Sequence, residues 1–275
     1  MHLQTQIKEL EEKALDIRKG ILEIMAGGKR GHLGGSLSIA DIIAALYFHQ
    51  MNIDPKNPSW EDRDRFVLSK GHSVLAQYVA IAELEYFPKE ELKKVKKLGC
   101  ILQGHPDRLK TPGIEASTGS LGQGLSIACG IALGAKITNK KYRVYALVGD
   151  GESTEGMIWE AAIFAAHYNL DNLTGITDQN KLMASGSTIV GSLVPKWRAF
   201  GWEVKEIDGH NMGEILDALD WASTVKNCPS MIVCNTVKGR GISFVENNVD
   251  FHHCALTAEQ YEKAWKELNR EGGVN

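Results

Sequence analysis

Apolar residues at Leu3, Ile7, Leu10, Ala14, Ile17, Ile21 and Ile24 recur at steps of three and four. That period puts them on one stripe of a long amphipathic helix. Gly27-Gly28 stands where such a helix is expected to stop. A second helical run starts near Ser38 and carries Ile39, Ile42, Ile43 and Leu46. Residues 52–64 are polar, contain Pro55 and Pro58, and read as a loop. Arg65–Ser69 reads as a short strand and His72–Leu84 as a helix. Lys89–Lys97 is Lys/Glu-rich and is expected to be a solvated surface helix. Residues 99–122 are rich in glycine and proline without periodicity, so they read as a long loop, and such loops are often functional.

The second half alternates. Gln123–Ile137 is an apolar, small-residue helix expected to be buried. Tyr142–Val148 is a strand, Thr154–Tyr168 a helix and Leu173–Thr177 a strand. Trp202–Ile207 is a strand, Asn211–Val225 a helix and Met231–Val237 a strand. The capping box Thr257–Gln260 opens a last helix through Leu268. This order predicts one α/β domain spanning residues 1–275, with a mostly parallel central sheet and helices on both faces.

Composition adds limits. The 31 basic and 34 acidic residues leave a net charge of −3, which gives no reason to expect a nucleic acid or membrane-surface partner. The charged N-terminus is unlike a signal peptide, and no apolar run reaches transmembrane length. The odd count of five cysteines, with no CxxC pair, fits a reduced, cytoplasmic protein. His252-His253-Cys254 has zinc-ligand residue types but no second ligand cluster nearby in sequence.

The candidate chemistry begins at Gly149-Asp150-Gly151-Glu152, which follows a strand and precedes a helix. Ligands of α/β sheets bind beyond the carboxyl ends of strands, glycines let backbone approach a phosphate, and a helix N-terminus favours negative charge. Asp178-Gln179-Asn180 follows the next strand. One strand–helix–strand step between them would set Asp150 and Asn180 side by side. A carboxylate, an amide oxygen and a backbone carbonyl suit magnesium or calcium.

A Gly-Asp-Gly followed by Asn180 at this spacing resembles the thiamine diphosphate-binding motif. The surrounding segments Arg30–Ser36, Leu68–His72, Gly104–Asp107, Ser117–Gly124, Gly156–Ala166, Lys196–Trp202 and Lys238–Gly241 stand in the order found in transketolase. The resemblance covers nearly the whole chain. It implies a thiamine-diphosphate-binding fold and reversible transfer of a two-carbon ketol unit from a ketose phosphate to an aldose phosphate, as in the pentose phosphate pathway. It implies that Asp150, Asn180 and the Leu182 carbonyl hold Mg2+ or Ca2+, and that Gly149, Gly151 and Glu152 lie against the diphosphate. By the same resemblance Gly119 and Leu121 touch the aminopyrimidine side, and Glu155 is the buried glutamate facing a partner active site. Lys70 and Lys238 sit near the diphosphate and channel. His32, His72, His105 and His252 line the channel to the reactive carbon, with His72 and His252 also reaching the cofactor. Histidine suits proton transfer near neutral pH.

The family's pyrimidine-binding and C-terminal domains have no counterpart in these residues. The resemblance therefore implies a partner chain, the C-terminal transketolase subunit, with two copies of each chain assembling. A piece of a longer chain would read the same way. Residues 181–191 (KLMASGSTIVG) depart from the family pattern, which leaves open an unusual sugar, such as a sulfonated or branched one. A deoxyxylulose-phosphate-synthase-like enzyme fits the 104–107 and 117–124 segments less well. A non-catalytic binding protein of the same fold is the alternative of another class. Arg30 stands where a small residue is common; it would meet an anionic substrate group or lie solvated on the surface.

Overall fold

The computed structural model describes residues 2–270. The N-terminal stripe forms α1 (Gln4–Met25), burying Leu10, Ala14, Ile17, Ile21 and Ile24. Gly27 and Gly28 follow with φ of 71° and 74°, a left-handed turn that glycine adopts without strain and that stops the helix. The chain then enters α2 (Leu33–Leu37) and α3 (Ala40–Ala45), strand β1 (Arg65–Leu68) and α4 (Val74–Glu83). Residues 89–94 form a short 3-10 helix rather than a freely solvated α-helix, and Leu92 and Val95 are buried. After the expected long loop come α5 (Gln123–Ile137), β2 (Val144–Gly149), α6 (Gly156–His167) and β3 (Leu173–Gln179). A small hairpin, β4 (Leu182–Met183) and β5 (Gly186–Ser187), precedes α7 (Val194–Ala199). Then follow β6 (Glu203–Asp208), α8 (Met212–Thr224), β7 (Ser230–Asn235) and α9 (Ala258–Arg270). The capping box forms as expected: Gln260 N–H donates to Thr257 Oγ1 and Thr257 N–H to Gln260 Oε1.

Five strands make one sheet in the order β1-β2-β3-β7-β6, every neighbouring pair parallel. Strand side chains alternate between two cores. Phe66, Leu68, Tyr145, Leu147, Ile176 and Ile232 join the core built with α1, α3, α4 and α8. Val67, Ala146, Val148, Met231 and Val233 join the core built with α5, α6 and Trp197 of α7. This is the α/β architecture with helices on both faces that the alternation predicts.

Helix α5 has the predicted bounds but is only half buried. Leu125, Ala128 and Ala132 face the sheet, whereas Ile127 and Ile137 are exposed. On α6, Met157, Ile163 and Phe164 are exposed as well.

Under α1, the Arg18 guanidinium donates to both Asp41 oxygens, and His210 Nδ1 lies 2.7 Å from the same carboxylate. His210 Nε2 in turn accepts the Val237 N–H at 2.8 Å, so this network fixes the chain just before Lys238. Burial alone would raise the Asp41 pKa, but Arg18 and the His210 bond outweigh it and hold Asp41 at about 2. A depressed carboxylate pKa stabilises the fold above the unfolded value and loses that contribution as pH falls through the folded one. Asp41→Asn is therefore expected to cost roughly 2 to 4 kcal/mol at pH 7, by urea unfolding. The gap to the parent should narrow below pH 4. A gap that stays constant down to pH 3 would remove Asp41 as its source.

Candidate functional site

The carboxyl ends of four strands converge on one edge, where α/β sheets bind ligands. β1 delivers Ser69 and Lys70, β2 delivers Gly149-Asp150, β3 delivers Asp178 and Asn180, and the segment after β7 delivers Lys238. Gly149 and Asp178 are register partners, and the Asp150 N–H continues the ladder to the Asp178 carbonyl at 3.1 Å. Against this edge lies a cavity of about 350 Å³. Of the expected site residues, its lining contains His32, His72, His105, His252, Lys70, Lys238, Gly119, Leu121, Gly149, Asp150, Gly151, Glu152, Glu155, Asn180 and Leu182.

Asp150 is buried; its Oδ1 accepts the Gly151 N–H and its Oδ2 the Lys181 N–H. Burial first, and then the Asp178 carboxylate, push its pKa up to about 6. Asn180 Oδ1 accepts the Leu182 N–H at 3.1 Å, and Asn180 Nδ2 donates to Asp178 Oδ2 at 2.7 Å. The Leu182 carbonyl accepts from Lys238 Nζ at 2.9 Å. A desolvated carboxylate, an amide oxygen and a carbonyl on one wall form an all-oxygen donor set that fits a hard divalent cation. The Lys70 and Lys238 ammonium groups line the same cavity, Lys238 on the Leu182 carbonyl itself, and fit an anion such as a diphosphate.

The two glutamates differ in setting. Glu152, expected against the diphosphate, turns inward and is 3% exposed. Its carboxylate accepts from Ser69 Oγ and from the Gly122 and Gly149 N–H groups. It ties the 117–122 loop to β1 and β2 and presents no free oxygen pair to a phosphate. Glu155, expected to face a partner active site, is exposed on this chain at the rim of the cavity.

The histidines form one cluster. The His32 ring centroid lies 5.0 Å from His72, 5.8 Å from His105 and 5.6 Å from His252. Gly119 sits at φ 138°, and a Cβ there would lie 2.6 Å from His105 Cδ2, so glycine is what lets this loop close on the ring. Burial, followed by nearby cations, lowers the pKa of His72 to about 2 and of His252 to about 4. Burial and the neighbouring histidines lower His32 to about 3. These lowered values favour the neutral rings beside Lys70 and Lys238. They act as hydrogen-bond donors and acceptors until an anion offsets Lys70 and Lys238. Lys238 itself is lowered to about 8 by burial and then by Lys70, and its Nζ lies 2.9 Å from His252 Nδ1.

Two residues named in the sequence take roles that it did not assign. Asp178 is fully buried and accepts from Lys70 Nζ, Ser38 Oγ, Asn180 Nδ2 and Thr236 Oγ1. A carboxylate closing an otherwise apolar strand was the available signal. His253 stands 4.5 Å from His32, centroid to centroid, a contact that the sequence did not show. Within residues 252–254, His252 faces Lys238, His253 is exposed, and Cys254 pairs through its backbone with Gly31. Among the described residues no group of three or more His, Cys, Asp or Glu is arranged to hold a metal.

A parallel sheet with oxygen donors and ammonium groups at its carboxyl edge defines an α/β protein built for an anionic ligand. Residues 11–272 match the family described as transketolase, thiamine diphosphate binding domain, and the chain belongs to that family. It is 48% identical over 268 residues to the 6-deoxy-6-sulfo-D-fructose transketolase subunit SqwG of Clostridium sp. (strain MSTE9), covering 96% of this chain and 98% of that one. It is 41% identical to an apulose-4-phosphate transketolase subunit of Phocaeicola vulgatus, covering 96% of this chain and 95% of the relative. The transketolase structure from Campylobacter jejuni superposes with a TM-score of 0.89 at 32% identity, over 98% of this chain and 43% of that one. The chain thus spans about two fifths of the solved transketolases and nearly all of the relatives named as subunits.

Proposed function

We propose that this chain is the diphosphate-binding subunit of a two-chain transketolase and transfers a two-carbon ketol unit only with a second subunit. The observation that carries this reading is the pattern of coverage among its relatives. The relatives it matches end to end are named as transketolase subunits, whereas it spans 43% of the Campylobacter jejuni enzyme. Ile127, Met157, Ile163 and Phe164 on α5 and α6 are exposed apolar side chains that such a subunit would cover. Two copies of each chain are the simplest assembly.

In this reading Asp150, Asn180 and the Leu182 carbonyl hold Mg2+ or Ca2+. Lys70, Lys238 and the backbone at Gly149 and Gly151 face the diphosphate, with Glu152 positioning that backbone. Gly119 and Leu121 contact the aminopyrimidine side. Thiamine diphosphate supplies the stabilised carbanion. His32, His72, His105 and His252 orient the sugar hydroxyls and take or return their protons. Glu155 meets the partner chain.

The donor is a sugar outside the ordinary pentose phosphates. The named substrates of the two subunit relatives, a sulfonated fructose and apulose 4-phosphate, favour this over xylulose 5-phosphate. Ketol transfer to an aldose phosphate should be measured with thiamine diphosphate and Mg2+ for this chain, for its partner, and for the mixture. Activity in the mixture alone is expected. Turnover by the isolated chain would overturn the two-chain reading.

A further inference from the structure

Lys238 holds two parts of the site at once. Its ammonium donates to the Leu182 carbonyl, a member of the oxygen set, and lies 2.9 Å from His252 Nδ1. The side chain is 2% exposed, so it has little room to find these partners by moving. Its placement is set by the backbone that carries it. That backbone leaves the sheet after β7 and runs from Thr236 to Asn248 as neither helix nor strand. The Thr236 N–H donates to the Gln179 carbonyl at 3.2 Å, and the Gly239 N–H to the Gly34 carbonyl at 3.0 Å. Between these two backbone bonds, the Val237 N–H donates to a side chain, His210 Nε2, at 2.8 Å.

His210 comes from the turn between β6 and α8. Gly209 lets that turn press on the end of β7. Its N–H donates to the Asn235 carbonyl at 2.8 Å, and a Cβ there would lie 2.5 Å from Thr236 Cγ2. The His210 ring is thereby wedged between two groups of opposite kind. Nε2 accepts an N–H, so it carries no proton itself. The ring proton is therefore on Nδ1, which donates to Asp41 Oδ2 at 2.7 Å. The two-bond grip of Arg18 keeps that carboxylate an acceptor. One tautomer of the neutral imidazole offers both faces, and the amide side chains each reach only one of them.

We propose that His210 is a positioning residue for Lys238: its Nδ1-protonated imidazole ties the buried Arg18–Asp41 pair to the Val237 N–H and so seats the Lys238 ammonium on the Leu182 carbonyl and His252. The effect on cofactor affinity rests on the reading that Lys238 faces the diphosphate. The seating itself does not.

Two variants divide the work of the ring. His210→Gln can bring a carbonyl oxygen to the place of Nε2 and keep the Val237 bond. His210→Asn can bring an N–H to the place of Nδ1 and keep the Asp41 bond. The Asn variant should therefore melt closer to the parent than the Gln variant, because it leaves the buried carboxylate paired. Lys238 should show the reverse order. In the cofactor-free chain, the imidazole NMR signals of His252 should stay near the parent's in His210→Gln and move in His210→Asn. In the enzyme assembled with its second subunit, affinity for thiamine diphosphate with Mg2+ should stay within about twofold of the parent in His210→Gln. It should fall roughly tenfold in His210→Asn, the worth of one lost hydrogen bond. His252 signals that follow the melting order in place of its reverse would give His210 a purely structural role and overturn the proposal. The expected His252 signals with parent-like affinity in both variants would keep the seating of Lys238 and remove Lys238 from the diphosphate. Should either variant fail to fold, nitrogen-15 shifts of the parent decide. His210 should show a protonated Nδ1 and a bare Nε2, and the opposite tautomer would overturn the proposal.

Discussion

Asp150→Ala in the assembled enzyme is expected to lower metal-dependent affinity for thiamine diphosphate at least about 100-fold and ketol transfer by roughly 1000-fold. Asp150 is the carboxylate of the oxygen set at the strand ends, and it is buried beside a second carboxylate, Asp178. Without it, Asn180 and the Leu182 carbonyl offer only neutral oxygens, too weak to hold Mg2+ against water. Calorimetry of cofactor binding with and without Mg2+ checks this. A second readout separates metal binding from a fold defect. A buried carboxylate crowded by another is costly until a cation joins them, so the cofactor-free variant should melt no lower than the parent. Parent-like cofactor affinity in the variant would sink the metal assignment. A drop in melting temperature without loss of affinity would assign Asp150 a structural role only.

What was legible in the sequence was what depends on local pattern. Helix α5 has the bounds its composition predicts, because Gly122 opens it and the apolar run is unbroken. Which face it buries was not legible, because a helix apolar all round has no preferred side until the sheet chooses one. Helix α7 and the β4–β5 hairpin are too short for a period to show. At the site, the glycine-flanked Asp150 and the spacing to Asn180 were visible because chain order carries them to adjacent strand ends. That Glu152 turns inward was not legible, because Ser69 and Gly122, the donors that hold it, lie far off in sequence. The strand expected to stop at Thr177 runs on through Asp178 because Ser38, Lys70 and Thr236 arrive from three other segments to satisfy that carboxylate.

Asp178→Ala is expected to be the most destabilising single change at the site, at about 3 to 5 kcal/mol, measured by urea unfolding of the cofactor-free chain. Burial would raise the Asp178 pKa, but Lys70 and the hydroxyls of Thr236 and Ser38 outweigh it and hold the carboxyl below its usual range. The ionised group is therefore what the fold selects. Removing it leaves the Lys70 ammonium, itself 3% exposed, with only the Gly35 carbonyl at 3.0 Å. Breaking a buried pair from one side costs far more than the pair contributes, because the remaining charge keeps its desolvation penalty. The loss spreads. Asn180 Nδ2 gives up its acceptor, so the amide is no longer held beside Asp150, and Lys70 is free to swing from the cavity wall. Cofactor affinity should fall with stability, unlike in Asp150→Ala, where the two part company. The double variant Lys70→Met with Asp178→Leu removes both charges and should recover much of the stability without recovering cofactor binding. If it remains as unstable as Asp178→Ala, the penalty lies in lost packing and not in the stranded ammonium. If Asp178→Ala alone unfolds at the parent's urea midpoint, the buried pair is not what holds β1 and β3 together at the site.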